Sequence, residues 1–173
     1  IRDSTDEQIR LNEETRQFLY SDYTPTFAEY IAGSRPFLEQ IVTPLMSGSR
    51  QETALSLAHW VSQIEHNFPT PQHSTAKGFY PTADTYLWGG TEEEVIKKGS
   101  DWCTELARVY CVLCQIAGIP ARIVACYDLA REFHGHCVNE VFLEEEWRFI
   151  DPQANLYFER PSGQWASAWQ VMR

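Results

Sequence analysis

The feature that most constrains the fold is an apolar helical pattern that runs almost directly into a β-strand pattern. Residues Trp102–Ala117 carry apolar side chains at helical spacing, and Gly118 stands where such a helix would end. The next residues, Ile119–Tyr127, are rich in Ile and Val, with Pro120 near their start, as is typical of a strand. We therefore expect a long helix that ends in a tight turn and leads into a sheet.

The rest of the chain places helices before this unit and strands after it. Helical patterns are predicted for a stretch capped at Ser4 or Thr5 and ending near Tyr20, and for Phe27–Ala32, Pro36–Met46, Gln51–Phe68 and Thr91–Lys98. Strand patterns are predicted for Gly135–Leu143 and Trp147–Ile150, with a further strand from Leu156 and a helix near Trp165–Val171.

Helices followed by an antiparallel sheet define the α+β class. We expect residues 1–50 to form an N-terminal helical extension and residues 51–173 to form the main domain. The segment Pro69–Gly90 is broken by Pro and Gly and is predicted to be a long connection, of a kind that is usually functional or mobile.

Charge and composition exclude several function classes. A hydrophobic fraction of 43% among 173 residues predicts a folded domain, and the net charge of −10 argues against binding to nucleic acids or anionic membranes. No apolar run approaches the roughly 18 residues of a membrane span. The chain begins at Ile1 rather than Met, so we expect it to be a cut or processed piece.

The five cysteines indicate free thiols rather than a disulfide framework. Their number is odd, and all lie within a single stretch from Cys103 to Cys137. Reduced thiols favour a reducing compartment such as the cytoplasm. The alternative is one free catalytic thiol and two disulfide pairs.

Cys103 differs from the other cysteines because it falls at the predicted start of the long helix. With Asp101 as the N-cap, Cys103 lies in the first turn, where unpaired backbone N–H groups stabilise negative charge. The thiolate is the reactive form of cysteine, so this position favours a nucleophile and leaves a backbone N–H for an oxyanion. The alternative is that Cys103 is a small core residue.

Cys111 and Cys114 lie in the middle of the helix among apolar residues, which favours a packing role. They also form a C-x-x-C pair that could bind zinc if His134, His136 or Cys137 supplied further ligands. Zinc-binding pairs of this kind generally lie on turns, so a zinc-binding interaction domain is the weaker alternative.

A candidate base and its orienting carboxylate lie on the two strands after the helix. If a two-residue loop, Glu144-Glu145, joins these strands, then Phe142 pairs with Trp147. His136 then lies diagonally across from Asp151 on the same face, within reach of a hydrogen bond.

Each of these residues has a simpler interpretation. His136 could be a surface histidine, and Asp151 could belong to an ordinary Asp-Pro turn. His134 is a competing base two residues upstream, while His59 and His66 are predicted to be helix-surface residues.

Together, these residues resemble the transglutaminase-like superfamily, most closely over residues 99–152. The resemblance is carried by a cysteine at a helix start, Gly118-Ile119-Pro120-Ala121-Arg122, His136 with Glu140, and Trp147 before Asp151-Pro152. Two positions depart from the family pattern: Asp101 replaces a glycine, and Val138 replaces a tryptophan whose loss is expected to reshape the cleft beside the imidazole.

The resemblance implies a papain-like α+β core and a catalytic triad of Cys103, His136 and Asp151, without metal or cofactor. It implies thiol-dependent acyl transfer on a protein or peptide amide, with Trp88 as a candidate oxyanion donor. Members include protein crosslinkers, peptide-N-glycan amidases and presumed cysteine peptidases. Hydrolysis is favoured, because the small domain shows no calcium-binding crosslinker architecture. The alternative is a binding module with an idle triad.

Overall fold

The computed structural model describes residues 30–66, 90–127 and 135–172, apart from the side chain of Tyr127. Several predictions lie outside these residues: the helix ending near Tyr20, most of the helix at 27–32 and nearly all of the connection at 69–90. Within the described ranges, no helix is long and apolar enough to cross a membrane.

The elements of the described residues follow the predicted order of helices before sheet. We number the helices α1 (Pro36–Val42), α2 (Arg50–Val61), α3 (Glu92–Lys98), α4 (Cys103–Ile116) and α5 (Ala168–Val171). The strands are β1 (Ala121–Tyr127), β2 (Gly135–Leu143) and β3 (Glu146–Ile150). The α+β fold class is therefore confirmed.

Two helices end earlier than their sequence patterns predicted. Helix α1 gives way to a short 3-10 segment, Thr43–Leu45, at Pro44, whose ring nitrogen cannot donate a helical hydrogen bond. Helix α2 ends at Val61, not near Phe68. The backbone N–H groups of Gln63 and Ile64 bond to carbonyl oxygens three residues earlier, so the chain forms a turn there. The backbone carbonyl of Glu65 then accepts a hydrogen bond from the backbone N–H of Ser100 (2.9 Å).

The three strands form an antiparallel sheet in the order β1-β2-β3. The predicted two-residue loop is confirmed: Phe142 pairs with Trp147, and only Glu144 and Glu145 lie between the strands. Both loop residues have positive φ values, 51° and 64°, as a type I′ turn requires. Two glutamates thus adopt a conformation that normally favours Asn or Gly.

Both faces of the sheet are covered. Helix α4 packs on one face, where Val141 and Ile150 join a core with residues of α1, α2 and α3. A smaller cluster on the opposite face joins Val138 and Phe149 to Ala168 of α5. Alternation along β2 places His136 on this second face, with Val138.

A buried ion pair ties the sheet to the C-terminal segment. The Glu140 side chain is fully buried, and its Oε2 accepts hydrogen bonds from Arg122 Nε (2.9 Å) and Nη2 (2.6 Å). Its Oε1 accepts a hydrogen bond from the backbone N–H of Ala168 (2.7 Å). One carboxylate therefore joins β1, β2 and α5, and the Arg122 guanidinium also lies over the Trp147 ring.

Candidate active site

Cys103 lies in the first turn of α4, as the sequence predicted, and is its first residue, but the capping prediction was wrong. Trp102 occupies the N-cap position, and no side chain caps the helix from there. The Asp101 carboxylate, one position too early to cap, forms a hydrogen bond with His66 Nδ1. The Ser100 hydroxyl accepts a hydrogen bond from the Trp102 backbone N–H (3.0 Å) and donates one to Glu105.

The segment before Cys103 is held against the end of α2 by a close backbone approach. Gly99 has a φ of 78°, and a Cβ atom there would lie 2.3 Å from the Glu65 carbonyl oxygen. A side chain at this position would therefore force the two segments apart. Their contact brings His66 beside Asp101, and so His66, predicted to be an ordinary helix-surface residue, lies beyond the end of α2 at the active-site edge.

His136 and Asp151 form the hydrogen bond that strand parity predicted. His136 Nε2 lies 2.6 Å from Asp151 Oδ2. The other carboxylate oxygen, Oδ1, accepts hydrogen bonds from the backbone N–H groups of Gln153 (2.9 Å) and Ala154 (3.1 Å). The Asp151 side chain is 7% exposed and the His136 side chain 42%. The carboxylate is thus fixed and shielded while the ring remains accessible.

The Cys103 thiol lies at the end of β2, where it meets both His136 and Cys137. The β2–β3 ladder ends at the pair Asn139 and Ile150. Further along β2, the backbone N–H of Cys137 lies near the Cys103 sulfur and lowers the pKa of this thiol. The sulfur also interacts with the His136 ring, so the structure brings Cys103, His136 and Asp151 together.

These contacts shift two pKa values in directions that favour an ion pair. Burial, the largest influence, would raise the pKa of Cys103. The Cys137 N–H, the His136 ring and the Thr104 hydroxyl together outweigh it, so this pKa lies below the ordinary thiol value. Burial would likewise lower the pKa of His136, but hydrogen bonds to Asp151 and the Cys103 thiol raise it.

The other four cysteines behave in the opposite way. Burial raises the pKa of the Cys111 thiol to about 11. It also raises the pKa values of Cys114, Cys126 and Cys137. Cys103 is the one cysteine of the chain whose pKa is lowered.

Gln153 is a contact at the site that sequence reasoning missed. Its Nε2 donates a hydrogen bond to the backbone carbonyl of Asp101 (2.8 Å), which joins the turn after Asp151 to the segment before Cys103. The two residues are 52 positions apart, so no local pattern could have indicated the contact. Proximity to the Asp-Pro pair was the one signal in the sequence.

The two departures from the family pattern have structural explanations. Asp101 is accommodated by the hydrogen bond to His66. Val138 is only 2% exposed and packs with Phe149 and Ala168. The expectation that this valine reshapes the cleft beside the imidazole stays a prediction. His134 and Trp88 lie outside the described residues.

The C-x-x-C pair lies within α4. Cys114 is fully buried in the main core, and the Cys111 thiol donates a hydrogen bond to the Ala121 carbonyl oxygen (3.3 Å). Among the described residues, no group of three His, Cys, Asp or Glu side chains could hold a metal ion.

The fold and the thiol–imidazole–carboxylate cluster define a papain-like α+β core. The family model of the transglutaminase-like superfamily matches residues 38–152, about two thirds of the chain. The protein therefore belongs to the transglutaminase-like superfamily. No curated protein matches the chain.

Two solved structures are similar to this chain. One is a TGase, with 16% identity and a TM-score of 0.50 over 87% of this chain. The other is a presumed cysteine protease from Cytophaga hutchinsonii, with 15% identity and a TM-score of 0.48 over 86% of this chain. The chain spans only 36% and 45% of the lengths of these two proteins, respectively.

Proposed function

We propose that this protein is a cysteine enzyme that transfers the acyl group of a peptide or glutamine amide through a triad of Cys103, His136 and Asp151. The observation that carries the proposal is a cysteine at a helix start close to a histidine that a buried aspartate orients. The lowered pKa of Cys103 agrees with this arrangement. Membership of the superfamily supports the same chemistry.

The ring contacts suggest a role for each nitrogen of His136. Nε2–H donates to Asp151, which leaves Nδ1 to accept the proton of the Cys103 thiol. The resulting thiolate attacks the amide carbonyl, forming a C–S bond, and His136 returns the proton to the departing amine as the C–N bond breaks. Cys103 is the first residue of α4, so its backbone N–H has no acceptor within the helix and can stabilise the oxyanion.

The thioester formed in this way can be released by water or by an amine. We favour water, which would make the enzyme a peptidase or amidase rather than a crosslinker. In either case His136 removes a proton from the attacking group, the C–S bond breaks and Cys103 is regenerated.

The first experiment compares the wild type with Cys103→Ala on peptides with and without glutamine. Turnover should fall to the uncatalysed rate in the variant. Adding a fluorescent primary amine separates the two outcomes: released acid indicates hydrolysis, and incorporated amine indicates transfer.

A second experiment measures the thiol itself with iodoacetamide near neutral pH, followed by peptide mapping. Cys103 should be labelled first. His136→Ala should raise the pKa of Cys103 and slow its labelling by about tenfold for each unit of that rise. Cys111→Ala, which removes a thiol two turns further along α4, serves as the control and should not change Cys103 labelling. Equal, slow labelling of several cysteines would instead support a binding module with an idle triad.

A further inference from the structure

A second cysteine stands directly beside the proposed nucleophile. Cys137 follows His136 in β2, and its backbone N–H lies near the Cys103 sulfur and lowers the pKa of that thiol. The Thr104 hydroxyl lies between the two side chains, 4.0 Å from Cys103 Sγ and 3.6 Å from Cys137 Sγ. The Cys103 sulfur is also close enough to act electrostatically on the Cys137 thiol, and it raises the pKa of that thiol.

Both thiols are accessible, but they differ in ionisation, and this difference decides which one is oxidised first. Both are partly exposed, so a small oxidant can reach them. Cys103 is the thiol whose pKa is lowered, whereas burial raises the pKa of Cys137. Peroxides react with thiolates, so Cys103 is the expected first target and Cys137 remains a neighbouring thiol.

We propose that Cys103 and Cys137 form a reversible oxidation site, in which Cys137 resolves the oxidised form of Cys103 as a disulfide. This inference rests on the ionised Cys103 of the proposed function. It goes beyond that function because it assigns a role to Cys137, whose side chain the acyl-transfer steps do not use.

The chemistry has two balanced steps, with hydrogen peroxide as the oxidant. The Cys103 thiolate attacks one peroxide oxygen and the O–O bond breaks. Hydroxide leaves, and Cys103 becomes a sulfenic acid. The Cys137 sulfur then attacks the sulfenic sulfur, an S–S bond forms and the S–O bond breaks. With the Cys137 proton the leaving hydroxide becomes water, so two thiols and one peroxide give one disulfide and two waters.

The disulfide would block Cys103 and at the same time protect it from irreversible oxidation. Without a resolving thiol, a sulfenic acid is oxidised further to sulfinic acid, which dithiothreitol does not reduce. With Cys137 adjacent, the enzyme would stop at a disulfide and recover when a thiol reductant returns.

The test treats the protein with a small excess of hydrogen peroxide at neutral pH and reads the chemical state of Cys103, not turnover. Non-reducing peptide mapping should find Cys103 joined to Cys137, with iodoacetamide labelling of Cys103 lost and then restored by dithiothreitol. In Cys137→Ser, the linked peptide should be absent, Cys103 should reach the sulfinic acid, and dithiothreitol should not restore labelling.

Cys126→Ser is the matched control, because Cys126 pairs with His136 across β1 and β2 and is the alternative resolving thiol. It should behave as the wild type does. Full dithiothreitol recovery in Cys137→Ser, or a Cys103–Cys126 link, would overturn the proposal. Because peroxide and alkylation report on the thiol alone, an oxidisable but catalytically idle Cys103 would contradict the proposed function and leave this inference standing.

Discussion

At the scale of single residues, the properties of Cys103 come from neighbours on separate elements. Its own position starts α4, while His136 and the N–H of Cys137 belong to β2. Asp151 follows β3 and acts on the thiol only through the His136 ring. Burial opposes ionisation of the thiol, and the lowered pKa is the net result of neighbours that lie on separate elements.

Asp151→Asn is expected to slow alkylation of Cys103 while the protein stays folded. An asparagine can still accept the backbone hydrogen bonds of Gln153 and Ala154, but it removes the negative charge that raises the pKa of His136. The imidazolium then loses its proton at a lower pH and no longer stabilises the thiolate. Because the thiolate is the reactive form, the midpoint of the rate–pH profile should move upward, slowing labelling at neutral pH by about tenfold per unit.

The measurement is the iodoacetamide rate of Cys103 as a function of pH. Glu159→Gln, which removes an exposed carboxylate from the C-terminal segment, is the control for the change in net charge. An unchanged midpoint in Asp151→Asn would show that the carboxylate does not influence the thiol.

At the scale of elements, the β2–β3 hairpin decides whether a triad can form. A loop of two residues keeps His136 and Asp151 on one face of the sheet, whereas one more residue would send Asp151 to the other face. The structure achieves this loop with Glu144 and Glu145 in the left-handed region. Such a conformation costs a residue with a side chain about 1–2 kcal/mol.

Glu145→Gly should therefore stabilise the protein, since glycine adopts a φ of 64° without steric cost. We expect the free energy of unfolding to rise by about 1 kcal/mol, measured by urea denaturation. Glu145→Val changes the same position in the opposite direction and should destabilise the protein, because a β-branched side chain fits this region poorly. If both variants had the same stability, the left-handed backbone conformation of residue 145 would be contradicted.

At the scale of the whole molecule, the site lies where two layers meet. Helix α4 covers one face of the sheet and carries Cys103 at its start, while the residues after β3 return over the other face and form α5. Gln153 and the His66–Asp101 pair join these parts at the site. The molecule as a whole carries a net charge of −10, which should influence the substrates that approach it.

We expect kcat/KM to be higher for a lysine-flanked peptide than for a matched glutamate-flanked peptide. The negative field of the protein attracts the lysine-flanked peptide and repels the glutamate-flanked one. Salt weakens both effects, because at 0.1 M the Debye length is roughly 10 Å. The ratio of the two kcat/KM values should thus fall as sodium chloride is raised. A ratio that does not depend on salt would assign the preference to local contacts. Equal kcat/KM values for the two peptides at low salt would contradict the predicted preference.

Local chemistry made part of this structure predictable from the sequence. Hydrophobic periodicity and Gly118 defined α4 to within a residue at each end, and strand β2 matched its predicted bounds. The capping box of Thr91 with Glu94 was visible as Thr-Glu-Glu-Glu. Side chains of a strand alternate between the two faces of the sheet. This alternation placed His136 and Asp151 on one face once the length of the loop was assumed. These features depend on residues close together in the chain.

The sequence by itself thus predicted which residues could react, and strand alternation predicted that His136 and Asp151 share one face of the sheet. Only the tertiary structure decided how they are held. Asp101 bonds to His66, 35 residues away, instead of capping α4, and Cys137 supplies both an N–H and a second thiol to Cys103. The physical reason is that periodicity and capping are short-range effects, whereas these contacts depend on how separate elements pack, which no local pattern encodes.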